Sequence, residues 1–273
     1  TNMPGRAKRT REGEPSITLS ALGFCGADDS VEPLMLAAIS AQHPWVEWGV
    51  LFRDDKVGEP RYASLSWVER LGEVNSARTM RLAGHLCAGH VDELLQGDAS
   101  FVRRMHEEVG FQRFQVNATS ANGVNTGVFG TAAGARNCVS AMREVFASLT
   151  TVEFIVQRNA ETRPLWELLQ ADMPSNVSLL YDDSMGLGKS STEWPSPPPP
   201  EVKFGYAGGL GVHNISSQLL RIEQTAPGRT LWVDMESSLR TMLKDENDIF
   251  DCNKAMACVR HVIELGFKPV TGS

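Results

Sequence analysis

The chain has 273 residues, of which 42% are hydrophobic and 22% charged, proportions typical of a globular protein with a sizeable core. Its formal net charge of −7 leaves no broad basic surface, which argues against a nucleic-acid partner. The sequence contains no run of about 18 apolar residues, so we expect no membrane span. The five cysteines are odd in number and scattered, which favours a reducing, cytoplasmic setting over a disulfide framework.

The first residues of the chain form a polar leader. It carries a basic cluster, made of Arg6, Lys8, Arg9 and Arg11, and it contains prolines but no hydrophobic periodicity. Such a segment cannot bury enough apolar surface to offset the entropy of ordering it. We therefore predict that residues 1–16 are a disordered tail and that residues 17–273 form a single domain.

Short β-rich runs alternate with amphipathic stretches from residue 17 to residue 266, the pattern of a parallel sheet with crossover helices. Eight such units predict an α/β fold of the (β/α)8, or TIM-barrel, type. The predicted strands are residues 17–22, 46–52, 81–87, 111–117, 152–157, 177–182, 202–206 and 230–235. The predicted helices are residues 31–42, capped by Ser30, and 91–109, 132–149, 165–172, 214–224 and 252–265.

The connection after the sixth predicted strand differs from the others. Residues 184–200 are rich in glycine, serine and proline and end in four prolines, which predicts a long loop instead of a helix. In barrels of this type, ligands bind where the carboxyl ends of the strands meet the following loops. A loop of this length at that face indicates a functional segment.

A glycine cluster directly follows the seventh predicted strand. Residues 207–211 read Ala-Gly-Gly-Leu-Gly and precede a helical stretch. Glycines let backbone amides approach an oxyanion, and a helix N-terminus adds a favourable dipole. Barrels of this fold often bind phosphate with the loops after strands seven and eight, whereas a tight turn and helix capping are the alternatives. The predicted phosphate-binding residues are Gly208, Gly209, Leu210, Ser237 and Ser238.

Four motifs occur in a fixed order along the barrel. They are Cys25-Gly26 at the end of strand one, Pro60-Arg61-Tyr62 after strand two, Asp182-Asp183 followed by a glycine-rich loop to Glu193-Trp194, and Ala207-Gly208-Gly209-Leu210 followed by Asn214-Ile215. Together these motifs resemble those of phosphoribosylanthranilate isomerase, the barrel enzyme of tryptophan synthesis. The resemblance implies an Amadori-type isomerisation of a phosphorylated sugar by acid–base catalysis.

The resemblance also implies roles for particular residues. Cys25 is implied as the base that removes the C2 proton, and Asp182 or Asp183 as the acid that helps to open the ribose ring. Strand alternation puts the two aspartates on opposite faces, which leaves open which one points into the barrel. Arg61 is implied as a contact to the substrate.

Further polar residues lie near the predicted strand ends. His85 can act as an acid or a base, Asn117 and Gln157 can hydrogen-bond a sugar or carboxylate, and Arg240 can contact an anion. His85 and Cys87 share a strand face, with His90 nearby. Their spacing fits no structural zinc motif, so we expect no metal and no cofactor.

The strand-eight region departs from the family. It runs Glu236-Ser237-Ser238-Leu239-Arg240 and so lacks the glycine and glutamate that follow the two serines in the isomerases. Strand one also has no lysine before Cys25. These departures support a second hypothesis, a non-catalytic barrel that binds a phosphorylated ligand. Under both hypotheses the partner is a phosphorylated small molecule; the oligomeric state stays open.

Overall fold

A computed structural model of the protein describes residues 15–182, 184, 193–244 and 246–267. Eight parallel strands close into a barrel in chain order, with the last strand hydrogen-bonded to the first. The strands are β1 (Thr18–Cys25), β2 (Val46–Phe52), β3 (Arg81–Leu86), β4 (Arg113–Val116), β5 (Glu153–Arg158), β6 (Val177–Tyr181), β7 (Phe204–Tyr206) and β8 (Thr230–Met235). The predicted TIM-barrel fold is confirmed, and every predicted strand has its counterpart.

Helices alternate with these strands around the barrel. They are α1 (Pro33–Gln42), α2 (Leu65–Val74), α3 (Gly89–Leu95), α4 (Ser100–Arg104), α5 (Ala132–Ser148), α6 (Arg163–Gln170), α7 (Ile215–Thr225) and α8 (Cys252–Glu264). An antiparallel pair, β9 (Arg240–Met242) and β10 (Asp248–Phe250), lies between β8 and α8. No helix within the described ranges is long and apolar enough to cross a membrane.

The helix predictions needed three corrections. Helix α2 was not predicted, and the stretch predicted as one helix over residues 91–109 is broken at Gly97, whose φ of 89° is left-handed. The predicted Ser30 cap is wrong, because α1 begins only at Pro33 and has no side-chain cap. The Ser30 hydroxyl instead bonds the Asp28 carboxylate and accepts from the Phe250 amide at 2.8 Å. Proline at the first turn suits a position where no N–H is needed.

Two predictions fall partly outside the described residues. Residues 1–14 of the predicted tail and residues 185–192 of the predicted loop are not described. The described part of that loop, residue 184 and residues 193–200, contains no helix or strand. Trp194 fixes this part to the outside of the barrel, since its indole donates to Gln218 of α7 at 2.9 Å.

Outward-facing strand residues pack with the helices in one large apolar core, which includes Phe24, Trp48, Phe114 and Phe154. The barrel interior is different because charged residues form its floor. The Arg113 guanidinium pairs with Glu47 at 2.7 Å and with Glu153 at 2.9 Å, and it lies 4.3 Å from the Trp232 ring centre. Burial alone would raise the pKa of Glu153, but the charges of Arg113 and Lys203 outweigh it and lower that pKa to about 2.

Candidate functional site

A cavity of about 290 Å³ opens at the carboxyl ends of the barrel strands. This is the face where (β/α)8 barrels carry their sites, and the volume suits a small metabolite. Most of the strands contribute to its wall, so residues far apart in the chain meet there. Ten of the predicted site residues line it: Cys25, His85, Asn117, Gln157, Asp182, Gly208, Gly209, Leu210, Ser237 and Ser238.

Arg61 and Arg240, both predicted to contact the ligand, do not line the cavity. The buried Arg240 guanidinium pairs with Asp28 at 2.9 Å and with Asp248 at 3.0 Å. The Arg61 Nη1 lies 3.3 Å from Glu236 Oε1, and its Nε lies 3.3 Å from Asp248 Oδ2. Both guanidinium groups therefore tie together the loops that surround the site.

Cys25 and His85 meet beside a glycine. A Cβ placed on Gly49 of β2 would lie 2.9 Å from the Cys25 Cβ and 2.8 Å from the His85 Nε2, so the missing side chain makes room for both. Burial, reinforced by the charges of Glu236 and Asp234, raises the pKa of Cys25 well above its ordinary value. Burial and then the charge of Arg113 lower the pKa of His85 to about 3. At neutral pH the site thus holds a thiol beside a neutral imidazole.

The neighbouring strands β3 and β4 add a chain of polar contacts. Gln115 Nε2 donates to Asn117 Oδ1 at 2.7 Å, and Asn117 Nδ2 donates to Cys87 Sγ at 3.5 Å. His90 is not part of it, because its ring stacks on Phe101 with centroids 3.8 Å apart. Within the described ranges, no group of three or more His, Cys, Asp or Glu side chains is arranged to hold a metal ion.

Asp182, one of the two aspartates predicted as the acid, lines the cavity. Its carboxylate accepts from the Ser184 amide at 3.1 Å, from the Ser184 hydroxyl at 2.5 Å and from Gln157 Nε2 at 3.3 Å. Asp183 lies outside the described residues. The donors around Asp182 are those that an ionised carboxylate requires.

The sequence interpretation missed two acidic residues of the cavity, Asp234 and Glu236. Asp234 lines the cavity and makes no hydrogen bond or ion pair with any described residue. Its carboxyl group occupies the space beside Gly23, because a Cβ added to that glycine would lie 2.3 Å from the Asp234 Oδ1. Desolvation, followed by the charges of Glu47 and Glu236, raises its pKa well above the ordinary value. Desolvation likewise raises the pKa of Glu236, against the opposing charge of Arg61. The i, i+2 spacing of the two acids at the end of a strand was the available signal, because such residues share a face.

The glycine cluster forms a tight corner between β7 and α7. Gly208 and Gly209 have φ values of 112° and 63°, a region that favours glycine. Asn214 Nδ2 donates to the Gly209 carbonyl at 2.8 Å, and the Ser238 hydroxyl donates to the Leu210 carbonyl at 2.5 Å. In the described part of the chain, the backbone N–H groups of Gly208 and Leu210 have no acceptor. The corner is therefore fixed by its side chains and offers backbone donors to the cavity.

No protein-family model and no curated protein matches the sequence. Two crystal structures of phosphoribosylanthranilate isomerase from Thermotoga maritima are similar at 12% and 13% identity, each with a TM-score of 0.51 and covering 89% of this chain and 98% of theirs. The phosphoribosyl anthranilate isomerase from Thermococcus kodakaraensis has 12% identity and a TM-score of 0.48, with coverage of 89% and 98%. At such identities the similarity of the two Thermotoga maritima structures establishes the TIM-barrel fold alone, and function has to be argued from the site.

Proposed function

We propose that the protein is an acid–base isomerase of a phosphorylated sugar, with chemistry akin to that of phosphoribosylanthranilate isomerase. One observation carries the proposal: Cys25 at the end of β1 and Asp182 after β6 line the same small cavity as the Gly208–Leu210 corner. A phosphate held at that corner leaves the sugar carbons between the two proton-transfer groups.

The phosphate is bound by backbone donors in this proposal. The N–H groups of Gly208 and Leu210, together with Ser237 at the start of the loop after β8, surround an anion without a basic side chain. The N-terminus of α7 follows within a few residues and adds its dipole. Ser238 holds the corner in place, because its hydroxyl is occupied by the Leu210 carbonyl.

An aldose–ketose isomerisation needs one group to remove the C2 proton and another to protonate the ring or carbonyl oxygen, with no net change in atoms. The resemblance gives the first role to Cys25. The raised pKa of Cys25 favours the reverse assignment in the resting protein: the thiol donates a proton and the Asp182 carboxylate removes the one on C2. Asp234, also with a raised pKa, is a second donor beside the same space.

A second candidate function is ligand binding without turnover. The specific observation in its favour is the raised pKa of Cys25, because a thiol that keeps its proton is a poor base. The glycine corner would then serve a phosphorylated ligand that the barrel binds and releases unchanged.

The two candidates are separated by proton exchange at C2. The protein is incubated in D2O with phosphoribosyl anthranilate or ribose 5-phosphate, and deuterium uptake is followed by NMR. We expect exchange at C2 that Asp182→Asn lowers by about 10²-fold or more and that Cys25→Ser also lowers. The matched controls Asp172→Asn and Cys138→Ser, both outside the cavity, should exchange like the unmodified protein. Binding without exchange supports the second candidate, and exchange that Cys25→Ser and Asp182→Asn leave unchanged rejects the proposed acid–base pair.

A further inference from the structure

The wall of the cavity across from the glycine corner is formed by uncharged polar side chains. The barrel closes in chain order, so β3 and β4 lie opposite β7 and β8, and β5 lies next to β4. The cavity residues that these three strands contribute, here called the neutral wall, are His85, Gln115, Asn117 and Gln157. Asp182 and Asp234 are not part of it, because the register of β6, β7 and β8 puts both beside the glycine corner.

Several hydrogen-bonding atoms of the neutral wall have no partner in the described part of the chain. Gln157 is only 2% exposed and its amide nitrogen donates to Asp182, yet its Oε1 accepts no hydrogen bond. Gln115 Nε2 donates to Asn117, whereas Gln115 Oε1 accepts from no described residue. The buried His85 imidazole likewise has no hydrogen bond with a described residue. Leaving buried acceptors unpaired is unfavourable, so these atoms indicate a ligand that supplies hydrogen-bond donors.

Hydroxyl groups match the neutral wall better than charged or aromatic groups do. A hydroxyl can donate to an amide oxygen and accept from an imidazole N–H. A carboxylate can only accept, so it would leave Gln115 Oε1 and Gln157 Oε1 unpaired, and an aryl group would do the same. Burial lowers the pKa of His85 to about 3, so the imidazole supplies no positive charge to a ligand at neutral pH. A charged ligand group would therefore be buried against this wall without a counter-charge.

We propose that the end of the ligand opposite its phosphate is a neutral polyhydroxyl group, whose hydroxyls donate to Gln115 Oε1 and Gln157 Oε1 and accept from His85. The substrate class is then a simple aldose or ketose phosphate, and a sugar phosphate with a carboxylate or an aromatic aglycone is disfavoured. The inference rests on the proposed function for the location of the phosphate.

Three sugar phosphates test the inference by calorimetry at pH 7.5. Ribose 5-phosphate presents hydroxyls at the end opposite its phosphate, 2-deoxyribose 5-phosphate lacks the hydroxyl on C2, and 5-phosphoribonate carries a carboxylate at C1. We expect 2-deoxyribose 5-phosphate to bind about 10-fold more weakly than ribose 5-phosphate, because it leaves a buried acceptor unpaired, and 5-phosphoribonate to bind most weakly. Equal affinities, or tightest binding of either of the other two ligands, would overturn the proposal.

Variants of the two glutamines assign the preference to the neutral wall. Gln115→Met and Gln157→Met keep the length of the side chain and remove the amide, so at least one of them should reduce the affinity ratio between ribose 5-phosphate and 2-deoxyribose 5-phosphate. Gln42→Met, at the exposed last residue of α1, is the matched control and should keep the ratio. The ratio compares two ligands on the same protein, so a smaller folded fraction does not change it. A ratio that both variants leave unchanged also overturns the proposal.

Ser238→Ala separates this inference from the proposed function. Because the Ser238 hydroxyl fixes the glycine corner, its loss should weaken both sugar phosphates by the same factor and keep their affinity ratio. If neither affinity falls and the ratio persists, the location of the phosphate in the proposed function fails, whereas recognition of hydroxyls by the neutral wall is supported. If Ser238→Ala abolishes the ratio, the hydroxyl is recognised at the glycine corner and the inference fails.

Discussion

The floor of the barrel and the cavity above it both contain acidic side chains, and their surroundings differ in kind. In the floor, Glu47 and Glu153 share the Arg113 guanidinium at 2.7 and 2.9 Å. In the cavity, Asp234 has no partner among the described residues, and its pKa is raised. The floor behaves as a structural ion-pair layer, whereas the cavity leaves groups unpaired where a ligand can reach them.

The difference follows from position along the strands. Arg113 is the first residue of β4, and its partners Glu47 and Glu153 lie at the start of β2 and β5. The three charges are therefore paired with one another before any ligand binds. Asp234 stands near the end of β8, next to the side-chain-free Gly23. Perturbed groups at the carboxyl ends of barrel strands are candidates for chemistry, and satisfied groups at the other end are candidates for stability.

The largest effect is expected when the guanidinium in the barrel floor is removed. Arg113→Met should lower the free energy of unfolding by about 3 kcal/mol, because Glu47 and Glu153 lose the buried cation that they share and keep only the more exposed Arg81 and Lys203. Chemical denaturation measures the loss. The matched control Arg143→Met removes a pair with the exposed Asp172 and should cost at most about 1 kcal/mol. Equal losses in the two variants would show that the floor is not an ion-pair layer.

The next effect comes from filling the space between Cys25 and His85. Gly49→Ala places a methyl group less than 3.0 Å from atoms of both residues, so we expect a loss of about 1–3 kcal/mol and a strong loss of C2 exchange. Denaturation and the exchange assay report the two effects. Gly130→Ala is the control, since its nearest neighbour would lie 3.4 Å away. Normal C2 exchange in Gly49→Ala would contradict a role for Cys25 in the proton transfer.

A smaller effect is expected at the junction of the two phosphate-side loops. Ser238→Ala removes the hydroxyl that donates to the Leu210 carbonyl at 2.5 Å. We expect the free energy of unfolding to fall by about 1 kcal/mol. We also expect the affinity for inorganic phosphate, measured by calorimetry, to weaken several-fold. Ser217→Ala, in the exposed first turns of α7, provides the control. Unchanged phosphate affinity in Ser238→Ala would contradict a rigid corner.

The smallest effect concerns pH. A carboxyl whose pKa is raised on folding stabilises the protein fully below its unfolded pKa, and that contribution is lost as the pH rises through the folded value. Asp234 is such a group, so wild-type stability should fall as the pH rises above the ordinary range of an aspartate. Asp234→Asn should therefore be more stable than wild type at pH 8, with the difference shrinking toward pH 4. If the melting temperatures of wild type and Asp234→Asn differ by the same amount at every pH from 4 to 8, the raised pKa of Asp234 is refuted.

Local patterns predicted the parts of the structure that depend on neighbours in sequence. The strands, and the glycine corner at Gly208 and Gly209, follow from periodicity and from the conformational freedom of glycine. Helix α2 also carried a local signal that was overlooked: Ser64 caps it by accepting from the Trp67 amide, and Trp67 and Leu71 have the i, i+4 spacing of a buried face.

Residues with distant partners could not be assigned from sequence. Arg240 was expected to contact an anion, but its guanidinium pairs with Asp28, which lies at the other end of the barrel sequence. Asp182 and Asp183 are adjacent, and the sequence alone could not decide between them; Asp182 lines the cavity, and Asp183 lies outside the described residues. The raised pKa of Cys25 likewise depends on Glu236 and Asp234, which only the closed barrel brings near.

The most direct test of the central claim is a crystal structure of the protein with ribose 5-phosphate. The proposed function predicts the phosphate against the backbone amides of Gly208 and Leu210, beside Ser237, with the sugar C1 and C2 between Cys25 and Asp182. A phosphate located elsewhere, or a sugar turned away from both side chains, would contradict it.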